Sequence, residues 1–257
     1  MERFKQDRKY FGFVVSGASF LCVIAGFVNV VCLYGLSGET VTHVTGTVSK
    51  LGISSLHDGD KIPNLLGLIL SFTTGAFCSS LIVGDSKFQL RNRYGIVMIV
   101  ESLLLLLAYF LLTLTGFGMN VKYMFAFASG LQNAMATSFS GAVLRTTHMT
   151  GVVTDIGIVL AHVIRTKGKH EDAWKLGFLF PLLAGFYLGC ALGAASVSKF
   201  GFFSILFAST ACGIAGCAYF LHRINTQHRE FLRRLEEEER QNQAQIREIE
   251  QTIQQID

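Results

Sequence analysis

Thr42-His43-Val44-Thr45-Gly46 and Thr147-His148-Met149-Thr150-Gly151 are one polar phrase written twice, 105 residues apart, each copy beside long apolar runs. A polar phrase repeated in so apolar a chain points to two structural halves. The match extends upstream, where Gly26-Phe27-Val28-Asn29 answers Gly130-Leu131-Gln132-Asn133. It extends downstream to Phe72-Thr73-Thr74-Gly75 and Phe186-Tyr187-Leu188-Gly189, with a connection nine residues longer in the second half.

Of the 257 residues, 51% are hydrophobic, 16% are charged and 26 are glycine. That is the balance of a polytopic membrane protein rather than of a soluble domain. Crossing a bilayer takes roughly 20 apolar residues in a helix, and six stretches qualify: about 11–36, 64–84, 95–116, 122–144, 176–198 and 201–222. The first follows a basic start but is too long for a signal-peptide core, so it reads as a retained span. Cys22, Cys32, Cys78, Cys190, Cys212 and Cys217 all fall inside these stretches without a C-x-x-C pair. Cysteine so placed is a small apolar packing residue, and neither a disulfide framework nor a metal site is expected.

With the N-terminus in the cytoplasm, 18 Lys and Arg residues fall on that side and only Lys50, Lys61, Lys122 and Lys199 on the other. This positive-inside asymmetry predicts six spans with both termini cytoplasmic, or on the equivalent face of an organelle. Each half then holds three spans, repeat one over about 11–116 and repeat two over about 122–222. An odd number per half inverts the second half relative to the first, the plan of many secondary transporters. Segments 43–56 and 148–166 are poor in long apolar residues and read as re-entrant or interfacial pieces. Irregular backbone is tolerated at membrane depth only where protein or water covers it.

Residues 1–10 form a basic lead, and beyond His222 the composition turns abruptly to Arg, Glu, Gln and Asn. The tail, 223–257, contains no glycine or proline and predicts a long cytoplasmic helix. Leu232, Leu235, Ile246, Ile249, Ile253 and Ile256 share one heptad seam, with Glu239 and Asn242 in its polar gap. The seam predicts a short coiled coil over 232–256, with a second copy or another membrane subunit as partner. A helix lying on the bilayer is the alternative, favoured by Arg223, Arg229, Arg233 and Arg234 and opposed by the acidic run Glu236 to Glu239.

The candidate site residues follow from the repeat. Thr42, His43, Thr45 and Gly46, with Thr147, His148, Thr150 and Gly151, combine hydroxyls, imidazole and glycine in one turn and could bind a polar solute or ion. The bland reading of the same residues is that the threonines cap or bridge helices while Gly46 and Gly151 permit tight packing. Asn29 and Asn133 either bridge helices or line the same site. Gly75 with Ser79, and Gly189 with Gly193, are small-xxx-small pairs that signal close helix approach. Glu101, about seven residues into the third stretch, is a candidate for proton coupling, unless interfacial water or Arg93 reaches it. No hydrolase elbow, H-E-x-x-H or phosphate loop occurs, so no enzyme, catalytic residue, cofactor or nucleic-acid partner is expected.

The motifs Ala25-Gly26-Phe27-Val28-Asn29 and Gly130-Leu131-Gln132-Asn133-Ala134, with the two Thr-His-x-Thr-Gly phrases and with Gly52 and Gly157, resemble the YoaK-like family of uncharacterised multi-span membrane proteins. The resemblance covers roughly residues 11–222 and implies a membrane topology without a substrate or reaction. Asn29 stands where that family often has an acid, and the heptad tail lies outside the likeness.

The expected molecule is therefore an all-α membrane protein of six spans in two inverted repeats. Its expected role is that of a carrier for a small polar solute or ion. The alternative is a structural or accessory subunit docking through its tail.

Overall fold

The computed structural model describes residues 8–38, 40–84, 92–115, 118–140, 146–167 and 171–254. Among them the secondary structure is helical throughout, without strands. The helices are α1 Arg8–Cys32, α2 Val44–His57, α3 Ile62–Val83, α4 Arg93–Thr115, α5 Gly118–Ser140, α6 Met149–Arg165, α7 Leu176–Phe200 and α8 Ser204–Gln254. α1 widens into a π-helical turn over Leu33–Ser37 and stops at Gly38, whose φ of 65° favours a residue without a side chain. Pro63 sits in the first turn of α3, where its missing N–H costs no intrahelical bond.

Many large apolar side chains lie on the surface of the helices as well as in the interior. Phe77, Leu114, Tyr187 and Ile214 are each more than 60% exposed, an outward face that water would not tolerate over so many helices. The hydroxyls on that surface turn inward: Thr73, Thr74, Ser80, Thr113 and Thr210 each donate to the carbonyl four residues earlier. In hydrocarbon no water can satisfy such a group, so its partner must come from its own helix.

Among the described residues four stretches are long and apolar enough to cross a membrane: Phe11–Gly35, Gly59–Val83, Arg93–Leu114 and Ala173–Gln243, the last running through α7 and α8. α5 has the length of a span at 23 residues but carries Asn120, Lys122, Gln132 and Asn133. α2 and α6, at 14 and 17 residues, fall short of the roughly 20 a crossing takes.

The main packing pairs are α1 with α7, α3 with α5, and α4 with α8. α1 and α7 run parallel, Ser19 lying against Gly185, Val23 against Gly189 and Phe27 against Gly193. α3 and α5 also run parallel, Gly67 against Tyr123 and Gly75 against Phe127. α4 and α8 run antiparallel, Gly95 against Gly216, Ser102 against Ser209, and Tyr109 against Phe203. The glycines set these distances. A β-carbon at Gly26 would overlap the Phe186 carbonyl oxygen, and one at the matching Gly130 would overlap that of Phe72. Gly75 and Gly189 meet the carbonyls of Phe127 and Val23 in the same way, and Ser79 beside Gly75 is fully buried. The expected small-residue contacts are present.

α8 continues without interruption from the bundle into the tail, which is exposed from Arg229 to Gln243. Leu232 and Leu235 are more than 40% exposed on it. The seam side chains of Ile246, Ile249, Ile253 and Ile256 lie outside the described residues.

Candidate functional site

Each Thr-His-x-Thr-Gly phrase opens a short helix, and the residue before that helix is its histidine. The carbonyl of His43 accepts the amides of Gly46 and Thr47 at 3.1 and 3.3 Å, and that of His148 accepts Val152 at 3.2 Å. The phrase is therefore a helix start, but neither histidine caps through its ring.

The first threonine of each phrase is buried and anchored to the asparagine of its own half. Thr42 donates its hydroxyl to Asn29 Oδ1 at 2.8 Å and its amide to the same oxygen at 3.3 Å. Thr147 donates its hydroxyl to Asn133 Oδ1 at 3.1 Å. The asparagines bridge the loop to its long helix rather than helix to helix across the halves. His43 Nδ1 lies 3.1 Å from the Thr42 hydroxyl, and its ring meets Phe186 of α7 edge-on at 6.1 Å. His148 is exposed.

The second half of the phrase does not join this cluster. Thr45 and Thr150 are exposed, and their carbonyls serve Ser49 and Thr154 within their own helices. The packing role expected of Gly46 is not found. A β-carbon there meets nothing within 4 Å, while one at Gly151 meets only the ring of His148. The close approaches belong to Gly26, Gly75, Gly130 and Gly189 instead, because those positions lie at helix crossings and Gly46 lies on an open face.

Glu101 is enclosed by protein. It is 2% exposed in the α4–α8 seam, and Arg93 reaches instead for the Ile82 carbonyl at 3.3 Å. The group set against its carboxyl is the Cys212 thiol, and Glu101 Oε2 has no hydrogen-bond partner among the described residues. One residue on, Ser102 donates to the Ser209 carbonyl at 2.7 Å and Ser209 to the Ser102 carbonyl at 2.8 Å. The sequence reading passed over this pair because nothing in either helix alone marks a serine as facing its counterpart.

A cavity of about 200 Å³ opens between the Phe13–Leu21 stretch of α1, the first turns of α4, the last turns of α5 and the Ala215–Tyr219 turn of α8, near the start of the same seam. Gly17, Leu21, Met98, Met135 and Ala215 are among its walls, and Phe13, Phe20, Tyr94 and Tyr219 bring aromatic rings to it. Val31, Ala108, Val121, Phe125 and Ile205 belong to a second cluster of buried apolar residues. By the offset of 104 between Gly26 and Gly130, Val121 answers Gly17 and Phe125 answers Leu21, a larger side chain in each case. Among the described residues no group of three His, Cys, Asp or Glu could hold a metal ion.

Residues 17–218 match the model of a family described as proteins of unknown function, DUF1275, and the chain belongs to that family. No curated protein and no solved structure matches it.

Proposed function

We propose that this member of the DUF1275 family is a YoaK-like membrane carrier of six spans. Its two inverted three-span halves, α1 to α4 and α5 to α8, keep both termini in the cytoplasm and expose a central site to one side at a time. The observation that carries the reading is the directionality of the helix pairs. Exchanging the halves turns the α1–α7 pair into the α5–α3 pair, both parallel, and turns the α4–α8 pair, which is antiparallel, into itself. A half-turn about an axis in the membrane plane does this, whereas an axis along the normal would make α4 and α8 parallel.

The one-sided cavity supports the same mechanism. Carriers of inverted plan alternate by letting each half adopt the other's packing. In this reading the cytoplasmic side holds the cavity, and the positions that answer Gly17 and Leu21 in the other half carry the larger Val121 and Phe125. A small polar solute would meet Thr45, His148 and Thr150 at the surface, whereas the space within the bundle is apolar.

Cysteine labelling in a cysteine-free background tests the topology. Asp60→Cys should react only from outside the cytoplasm and Glu171→Cys only from within. Reaction of both from one side removes the inverted plan. The accessory-subunit reading draws on a separate observation, the exposed Phe231, Leu232 and Leu235 of the tail, and is compatible with the same topology.

A further inference from the structure

The α4–α8 seam is built in layers one helical turn apart. Tyr94 meets Tyr219 at 6.4 Å between ring centroids, Met98 and Ala215 line the cavity beneath them, and Glu101 with Cys212 forms the next layer down. Tyr94, Met98, Glu101 and Leu105 recur at the spacing of one helix face. Met98 is thus a cavity wall that lies one turn from the buried carboxyl on the same face of α4.

Architecture does not require an acid here. Taking Ser102 and Ser209 as the matched pair puts Ala208 at the matching position in the other half, in one buried apolar cluster with Leu105. A carboxyl buried at 2% exposure with an unpartnered oxygen is costly in such surroundings unless it is protonated or meets a cation. Among the described residues of α4, α5 and α8, the titratable group set against it is the Cys212 thiol, with the neutral Ser102 and Ser209 adjacent and the Arg93 side chain directed to Ile82. Among the described residues no cationic side chain is set against Glu101, so its carboxyl is either protonated or open to a cation from outside the protein.

From this layering we infer that the cavity is a binding site for an amphipathic organic cation, a lipophilic amine or quaternary ammonium. Its apolar body fills the aromatic-lined space and its charge meets Glu101 once Met98 turns aside. Methionine suits that movement, being unbranched and free about three bonds, and aromatic rings attract such cations without hydrogen bonds. A polar solute finds almost nothing to bond in these walls, and an inorganic cation finds no shell of oxygens. The Glu101 proton leaves as the cation arrives, so charge is conserved and one cation exchanges for one proton. The inference supplies the cargo of the proposed carrier and rests on that reading.

The test uses the whole protein purified in mild detergent and radiolabelled benzyltrimethylammonium as probe. Saturable binding should strengthen as pH rises, because protons compete for Glu101, and should release one proton per cation into a weakly buffered solution. Glu101→Gln should weaken binding at least tenfold. Gly17→Phe should do the same by filling the cavity, since a β-carbon at Gly17 meets nothing within 4 Å and the fold can accept it. Far-ultraviolet circular dichroism and a monodisperse elution profile establish that each variant is folded. The inference is overturned if the folded wild type shows no saturable binding, if Glu101→Gln binds as well as the wild type, or if the neutral isostere neopentylbenzene competes equally in both. None of these outcomes bears on the labelling of Asp60→Cys and Glu171→Cys, so the cargo can fail while the carrier plan stands.

Discussion

Ser102 and Ser209, 107 residues apart, exchange hydrogen bonds, each hydroxyl donating to the other's backbone carbonyl at 2.7 and 2.8 Å. The pair sits where α4 and α8 cross, and it is reciprocal because the two helices run antiparallel with the serines opposite one another. Ser102→Ala and Ser209→Ala should each cost about 0.6–1 kcal/mol, the size of a helix-to-helix hydrogen bond in a membrane. The double variant should cost less than the sum if the two bonds support each other. Denaturation in mixed micelles measures all three, and no loss in either single variant would remove the pair from the account of stability.

Gly26→Ala and Gly130→Ala should destabilise the bundle on the order of 1–3 kcal/mol or more, because backbone carbonyls rather than yielding side chains occupy the place of the new methyl. Gly46→Ala should be neutral or stabilise by up to about 1 kcal/mol, since it adds a helix-forming residue to an open face of α2. Thermal unfolding in detergent ranks the three. A larger loss at Gly46 than at Gly26 contradicts the packing described.

Asn29→Ala should cost more than Asn133→Ala, because Asn29 accepts two bonds from Thr42 at a site 3% exposed while Asn133 accepts one from Thr147. A loss of about 1–3 kcal/mol fits a buried partner left unsatisfied. Hydrogen exchange at the Thr42 amide reads the first change directly, and protection surviving Asn29→Ala argues against the anchor.

Thr42→Val and Thr147→Val should loosen the starts of α2 and α6, whereas Thr45→Val and Thr150→Val should leave the fold intact. The second pair therefore separates anchoring from solute contact. Full transport in both Thr45→Val and Thr150→Val, in reconstituted vesicles, removes those hydroxyls from any binding role.

The tail seam predicts association. Ile249→Asp with Ile253→Asp should abolish pairing with a second copy or another subunit, because an unpaired carboxylate in such a seam is strongly unfavourable. Size in mild detergent is the measurement, and an unchanged value in the double variant counts against a docking tail.

Helix existence was legible because bilayer thickness imposes a length that composition reveals. All six apolar stretches became helices, and the paired phrases marked equivalent helix starts in both halves. The role of each residue within the phrase was not legible. Thr42 and Thr45 are the same residue type three positions apart, and only the course of the chain from α1 decides that the first meets Asn29 while the second faces out. The cavity was invisible for a similar reason. Its walls include Gly17 and Leu21 on α1, whose small size acquires meaning only once four helices bring the lining positions together. Glu101 announced itself by its charge, but its isolation from Arg93 depends on where that side chain turns.

The unbroken course of α8 has a mechanical consequence. Residues 223–254 extend the helix about 48 Å beyond the bundle at 1.5 Å per residue. If α8 tilts by about 10° against α4 as one cavity closes and the other opens, the free end travels about 8 Å by the geometry of a rigid rod. Whatever grips the tail would then feel the state of the cavity as a displacement, so a docking helix and a carrier core need not be rival descriptions: the first could serve as the lever arm of the second.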